Sequence, residues 1–139
     1  MIIVFQKALA PYGDYAYALL RVFSGLMFSF HGMQKVFGIL ASQQPPVGSQ
    51  IWVGGVIEVV AGFAIAAGLF TSYAAFVASG TMAVAYAQFH WRFAFDKNFL
   101  PAINKGELAI VYAALFLYIA CRGAERFSLD ARRGARSSG

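Results

Sequence analysis

The sequence predicts an all-α protein, an integral membrane bundle of four transmembrane helices. Three observations carry this reading. Apolar residues make up 60% of the chain and charged residues only 12%, whereas a soluble domain carries about a quarter charged residues because it needs a polar coat. Aromatic residues reach 17%, led by 14 Phe, a composition that suits lipid-facing surface and interfacial belts. Four apolar runs follow one another along 139 residues, a length that suits one domain.

The first run extends from about Tyr15 to Phe37, after Pro11-Tyr12-Gly13-Asp14, with Asp14 as the expected N-cap. The second runs from about Ile51 to Phe70, the third from Tyr73 to Trp91, and the fourth from Glu107 to Arg122. A helix needs roughly 20 residues to cross a bilayer. The first three runs reach that length, and the fourth is short, which puts Lys105 and Glu107 near the interface. Only Thr71-Ser72 separates runs two and three, so a tight helical hairpin is expected. Gly68 would end one helix there, and Thr71 or Ser72 would cap the next. The Phe-rich segment between Arg92 and Gly106 reads as lying along the interface. Residues 123–139 read as a basic tail.

The formal net charge is +5, and Arg122, Arg126, Arg132, Arg133 and Arg136 cluster after the last run. Such a tail sets orientation by the positive-inside rule and meets anionic lipid head groups. Membrane lipids are therefore the expected partners, and nucleic acid is not. Four crossings place both termini on one side, which the arginines and Lys7 assign to the cytoplasm of a bacterial-type inner (plasma) membrane. The stretch Met1–Phe5 is too short for a cleavable signal, so the first long helix is expected to direct its own insertion. A single cysteine, Cys121, excludes an intramolecular disulfide and a cysteine metal cluster.

Ionisable groups inside a bilayer are costly and need a reason. Here they are Arg21, His31 and Lys35 in run one, Glu58 in run two, His90 ending run three and Glu107 opening run four. With the topology above, His31 lies about 9 Å and Glu58 about 10 Å from the outer ends of their helices, at 1.5 Å per residue. Gln34, Lys35, His90 and Glu107 lie nearer the outer surface, so all four helices bring a polar group to the outer half. Arg21 stands apart near the inner end and reads as structural. Helical phase places Arg21, Gly25, Phe28, Gly32 and Lys35 on one stripe, Gly54, Glu58 and Gly62 on a second, and Gly80, Ala83, Ala87 and His90 on a third. Small residues let membrane helices approach closely, so these charges are expected to face the bundle centre.

Two chemistries compete for this cluster. Glu58 can be the structural partner of His31, Lys35 or Arg21 in a satisfied buried pair. Alternatively Glu58, His31 and Lys35 are catalytic candidates. His31, Gln34, Glu58, His90, Glu107 and Tyr86 would then line a site for a quinone-like head group, with Tyr112 as a further donor. A quinone needs an apolar slot, donors for its carbonyls and a proton path. A haem held by two histidines, or a metal held by two histidines and a carboxylate, would call for further ligands, so no metal is assigned.

These residues also carry a resemblance. LLRVFSGLMFSFHGMQKVFG (Leu19 to Gly38), GGVIEVVAGFAIAAGLFTSYAA (Gly54 to Ala75), MAVAYAQFH (Met82 to His90) and NKGELAIVYAALFLYIACRGAERFSLD (Asn104 to Asp130) resemble the DoxX family of small membrane proteins. The resemblance covers nearly the whole chain. It implies a four-helix transmembrane bundle and a link to membrane redox chemistry, since relatives include subunits of thiosulfate:quinone oxidoreductase. Its motif positions fall on His31, Gln34, Lys35, Glu58, His90, Asn104, Glu107 and Asp130. Lys105 departs from the pattern, which has glycine there, and Glu125-Arg126 fills a stretch that is usually small. The expected function is a quinone-linked redox protein or subunit. The alternatives are a non-catalytic accessory subunit of a larger membrane complex and a small-molecule transporter.

Overall fold

The structure, a computed structural model, describes residues 2–137 without the side chains of 136 and 137. The side chain of Arg136 and the last two residues of the expected tail thus lie outside what is described. Among the described residues all regular structure is helical. Helix α1 (Ile2–Leu9) leads through a 3-10 turn, Ala10–Tyr12, into α2 (Gly13–Phe37). Helix α3 spans Gln50–Ala67, and α4 spans Thr71–Ala85 before widening into a π-helical segment, Tyr86–Trp91. A 3-10 turn (Lys97–Phe99) and α5 (Pro101–Asn104) precede α6 (Glu107–Arg122), and α7 is Leu129–Ser137.

One core is shared by four helices. Tyr17 and Phe28 from α2, Ala61 and Ile65 from α3, Ala75 and Ala78 from α4, and Tyr112, Phe116 and Ile119 from α6 form its buried cluster. Phe28 lies 4.8 Å from Phe116 between ring centroids, and Tyr112 stacks on Phe116 at 5.3 Å. The outward faces of the same helices are apolar and exposed, with Leu19, Phe23 and Met27 on α2, Val60 and Phe63 on α3, Phe76 and Val77 on α4, and Val111 and Leu117 on α6. Of the four, α3 alone is both long and apolar enough to cross a membrane, with 18 residues and a mean hydropathy of 1.7. Regular α4 and α6 have 15 and 16 residues.

Helices α2 and α3 meet backbone to backbone. A Cβ on Gly25 would come within 2.6 Å of the Gly62 carbonyl oxygen, and one on Gly32 within 2.5 Å of the Gly55 carbonyl oxygen. The close partners on α3 are therefore Gly55 and Gly62. Gly54, expected on the packing stripe, has open space around its Cα, as does Gly80. At this end the stripe on α3 is rotated by one residue, so that Gly55 faces Lys35 and Val36.

The helix ends correct two expectations. Asp14 is not an N-cap: Tyr12, at φ −94° and ψ 1°, occupies that position without a capping side chain. Asp14 sits in the first turn and faces Arg126 at 3.2 Å and Arg122 at 3.9 Å. Neither Thr71 nor Ser72 caps α4. Gly68, at φ 70°, ends α3 as expected, but Phe70 at φ 47° is the N-cap residue and offers no side-chain acceptor. The capping carboxylate comes from Asp130, which accepts from Phe70 N at 2.9 Å, Thr71 N at 3.0 Å and Thr71 Oγ1 at 3.0 Å. Three donors on one carboxylate cap a helix whose own sequence cannot do so.

The same end holds Arg21, fully buried. Its guanidinium donates to the carbonyls of Ile65 and Ala66 at 2.6 and 2.9 Å and to that of Phe127 at 2.8 Å. The first two are among the last carbonyls of α3, Ile65 O also accepting from Gly68 N at 3.1 Å, and a cation there opposes the helix dipole. The Tyr17 hydroxyl donates to the Gly123 carbonyl at 2.6 Å. The segment after α6 is thus tied to the helix ends at Gly123, Phe127 and Asp130.

Gly32→Val and Gly25→Val should each lower the thermal unfolding midpoint in detergent, because overpacking costs about 1–3 kcal/mol where backbone cannot yield. Gly54→Ala should leave the midpoint unchanged or raise it, since Ala costs about 0.5–1 kcal/mol less than Gly inside a helix. A second expectation concerns Asp130. Burial pushes its carboxyl up, but its three hydrogen bonds, together with Arg133, outweigh this and hold it below its ordinary 3.8. Its contribution is present above that ordinary value and is lost as pH falls through the lower native one. Pepsin cleavage after α6 should therefore start only under strongly acidic conditions in the wild type, and at higher pH in Asp130→Asn.

Candidate functional site

The polar residues gather at the end of the helices opposite Arg21. Lys35 Nζ donates to Glu58 Oε1 at 2.5 Å, joining α2 to α3. Glu58 is buried, and the Lys35 side chain is 34% exposed. The ion pair lies between two cavities. The smaller, about 180 Å³, is lined by His31, Lys35 and Glu58, by His90 and Lys105, and by Phe28, Met82, Leu108, Ala109 and Tyr112. The larger, about 590 Å³, is a groove between α3 and α4. Its wall is mostly apolar, with Ile51, Val53, Ile57, Val84 and Phe89, and includes Gly54 and Gly80, whose missing side chains widen it. Lys35, Glu58, Met82 and His90 belong to both walls. The side chains of Gln50 and Gln88 are hydrogen-bonded across the groove.

His90 owes its position to the π-helical segment. A π turn carries an extra residue and re-aims the side chains that follow. The His90 Nδ1 lies 3.2 Å from the Asn104 carbonyl oxygen. A carbonyl only accepts, so this nitrogen carries the proton, which leaves Nε2 as the acceptor of the neutral ring. Asn104 organises the loop around it. Its Nδ2 donates to the Asn98 carbonyl at 2.8 Å and to Tyr86 Oη at 3.2 Å, and its Oδ1 accepts from Gly106 N at 2.8 Å. A Cβ on Gly106 would strike the Tyr86 ring at 2.6 Å. Lys105, between them, adopts φ 60°. That left-handed conformation favours glycine, and lysine occupies it with its side chain at the cavity wall.

Of the residues singled out in the sequence, His31, Lys35, Glu58 and His90 line the small cavity. Gln34 does not; it lines a separate pocket with residues 40–43 of the following loop. Tyr86 lines neither cavity. Its hydroxyl donates to the Phe99 carbonyl at 2.9 Å, and its ring stacks on His90 at 6.4 Å. Glu107 is exposed. The inward stripe of α6 is Ala109, Tyr112, Phe116 and Ile119, and Glu107 falls on the opposite face with exposed Val111 and Ala114. The fourth helix instead contributes Tyr112, and the loop before it Lys105. In the sequence Lys105 is legible only as a residue near the interface. Among the described residues no three His, Cys, Asp or Glu side chains converge as they would around a metal ion.

Comparison with known proteins places this geometry in a family. The DoxX profile matches residues 16–91, which include His31, Lys35, Glu58 and His90. The chain belongs to the DoxX family. This makes it a membrane protein, in keeping with the apolar outer faces of its helices. An uncharacterized protein of Haemophilus influenzae is 39% identical over 127 residues, covering 88% of this chain and 93% of that one. No solved structure matches.

Removing one partner of an ion pair leaves the other charge buried alone. Lys35→Met should lower stability by about 2 kcal/mol, less than for a fully buried pair because Lys35 is partly exposed. Lys35→Met with Glu58→Leu should be more stable than Lys35→Met alone, a coupling readable from thermal melts of the two variants.

Proposed function

We propose that this DoxX protein is a four-span bundle of the inner (plasma) membrane that binds a quinone-type ring lipid as part of a membrane redox system. The observation that carries this is the shared wall between a polar cavity and an apolar groove. An amphiphile with a small polar ring and an isoprenoid tail suits both. The ring matches a 180 Å³ chamber lined by Lys35, Glu58, His31, His90 and Tyr112, and the tail matches the groove between α3 and α4. In this reading the chain supplies ring binding and proton handling, with Glu58 and the two histidines as the groups able to take up or release a proton. Electrons pass to or from another component of the same system.

Exposed apolar residues on the outer faces of all four helices support the four-span reading. The arginines after α6 and Lys7 support cytoplasmic termini, with the cavity toward the outer face. Purified protein in nanodiscs should bind a short-chain quinone with quenching of Trp52 or Trp91 fluorescence. Glu58→Leu with His31→Ala should weaken that binding at least about tenfold. Unchanged binding in that variant would refute the assigned site.

A second reading, an accessory subunit of a larger complex, is favoured by α1. Its Ile2, Ile3, Val4 and Phe5 are 66–82% exposed, and none of its residues is buried. Native mass spectrometry after gentle extraction should show a stoichiometric partner that is lost when residues 2–9 are deleted. A monomer with full quinone turnover would exclude it.

A further inference from the structure

Two buried polar atoms of residues on the wall of the small cavity make no hydrogen bond among the described residues: Glu58 Oε2 and Tyr112 Oη. Both residues are only 4% exposed. They come from different helices, α3 and α6, and line the same cavity. A buried polar atom without a partner forfeits its hydration with nothing in return; Arg21 Nε and Trp52 Nε1 are also without one, but only Glu58 Oε2 and Tyr112 Oη belong to residues on the wall of one cavity.

The chemistry of the two atoms restricts what can satisfy them. Glu58 Oε1 is held by Lys35 Nζ, so Glu58 is the anion of an ion pair and its second oxygen can only accept. The Tyr112 hydroxyl can donate once and accept. A ligand hydroxyl satisfies both, donating to Glu58 Oε2 while accepting from Tyr112 Oη. A ligand carbonyl can take the proton of Tyr112 but sets its lone pairs against the carboxylate.

We infer that the cavity selects the reduced, hydroxyl-bearing form of its ring lipid, with one ring hydroxyl bridged between Glu58 Oε2 and Tyr112 Oη. This rests on the ring-lipid reading above and adds the preferred oxidation state of the bound ring. Glu58 is then the group that accepts the ring hydroxyl's hydrogen bond, and Tyr112 orients it. Lys105 and His90, on other parts of the wall, remain available to the rest of the ring.

The test compares decylubiquinol with decylubiquinone under anaerobic conditions, using the full-length protein in nanodiscs and titration calorimetry. The wild type should bind the quinol about tenfold more tightly, the discrimination expected of a hydrogen bond to a charged acceptor. Tyr112→Phe, whose ring keeps its stacking on Phe116, should lose affinity for the quinol. Glu58→Gln presents an amide that can donate to a carbonyl, so the preference should shrink or reverse. Equal wild-type affinities, an unchanged ratio in folded Glu58→Gln, or undiminished quinol affinity in folded Tyr112→Phe would overturn the inference and leave the ring-lipid reading standing. Absence of binding by both forms would overturn that reading as well.

Discussion

Helices α2 and α3 lie so close that only glycine fits between them, with Gly25 against Gly62 and Gly32 against Gly55. This contact sets the axial register of the two helices. Sliding one along the other by a turn, about 5.4 Å, would drive side chains into backbone. The register in turn brings Glu58 on α3 within reach of the long side chain of Lys35 on α2. A carboxylate buried this deeply needs that ammonium, so the glycines determine whether the charge can be there at all. The cavity, the groove and their common wall follow from the same pair.

The two ends of the bundle use buried charge differently. At one end, Arg21 and Asp130 satisfy backbone groups. The arginine takes the terminal carbonyls of α3, and the aspartate takes the first amides of α4. Together these interactions join the ends of the helices to the segment after α6. At the other end, Glu58 has a partner among the described residues for one oxygen only, and the groups around it belong to separate chain segments. The first arrangement holds structure together. The second leaves polar atoms facing a space that a small molecule can enter.

Much of this second end is legible in the sequence. His31, Lys35, Glu58 and His90 stand out because a charged residue in an apolar run needs a reason, and their depth from the helix ends brings them level. Depth is a matter of counting at a fixed rise per residue. Which way a side chain points is harder. Gln34 and Glu107 share the depth of the cluster but not its direction, since each is rotated away from the cavity. Gly54 reads as a packing residue because it is four positions before Glu58, whereas Gly55 has that role in the structure. The caps differ for a similar reason. Asp14 and Thr71 look like local caps, and the carboxylate that caps α4 lies about sixty residues away in sequence.

The sequence by itself determined the four long helices, their order and the end at which the ionisable groups collect, because hydrophobic periodicity and rise per residue are local properties; it did not show the short helices Ile2–Leu9, Pro101–Asn104 and Leu129–Ser137. The tertiary structure decided which of those groups meet. The π-helical segment shifts the phase of His90, and a left-handed backbone at residue 105 turns a loop lysine into a cavity wall. Of the two tyrosines expected as donors, Tyr112 joins Glu58 on the wall of the same cavity and Tyr86 does not. These outcomes depend on contacts between distant segments, whose geometry is set by packing and not by the residues immediately before and after.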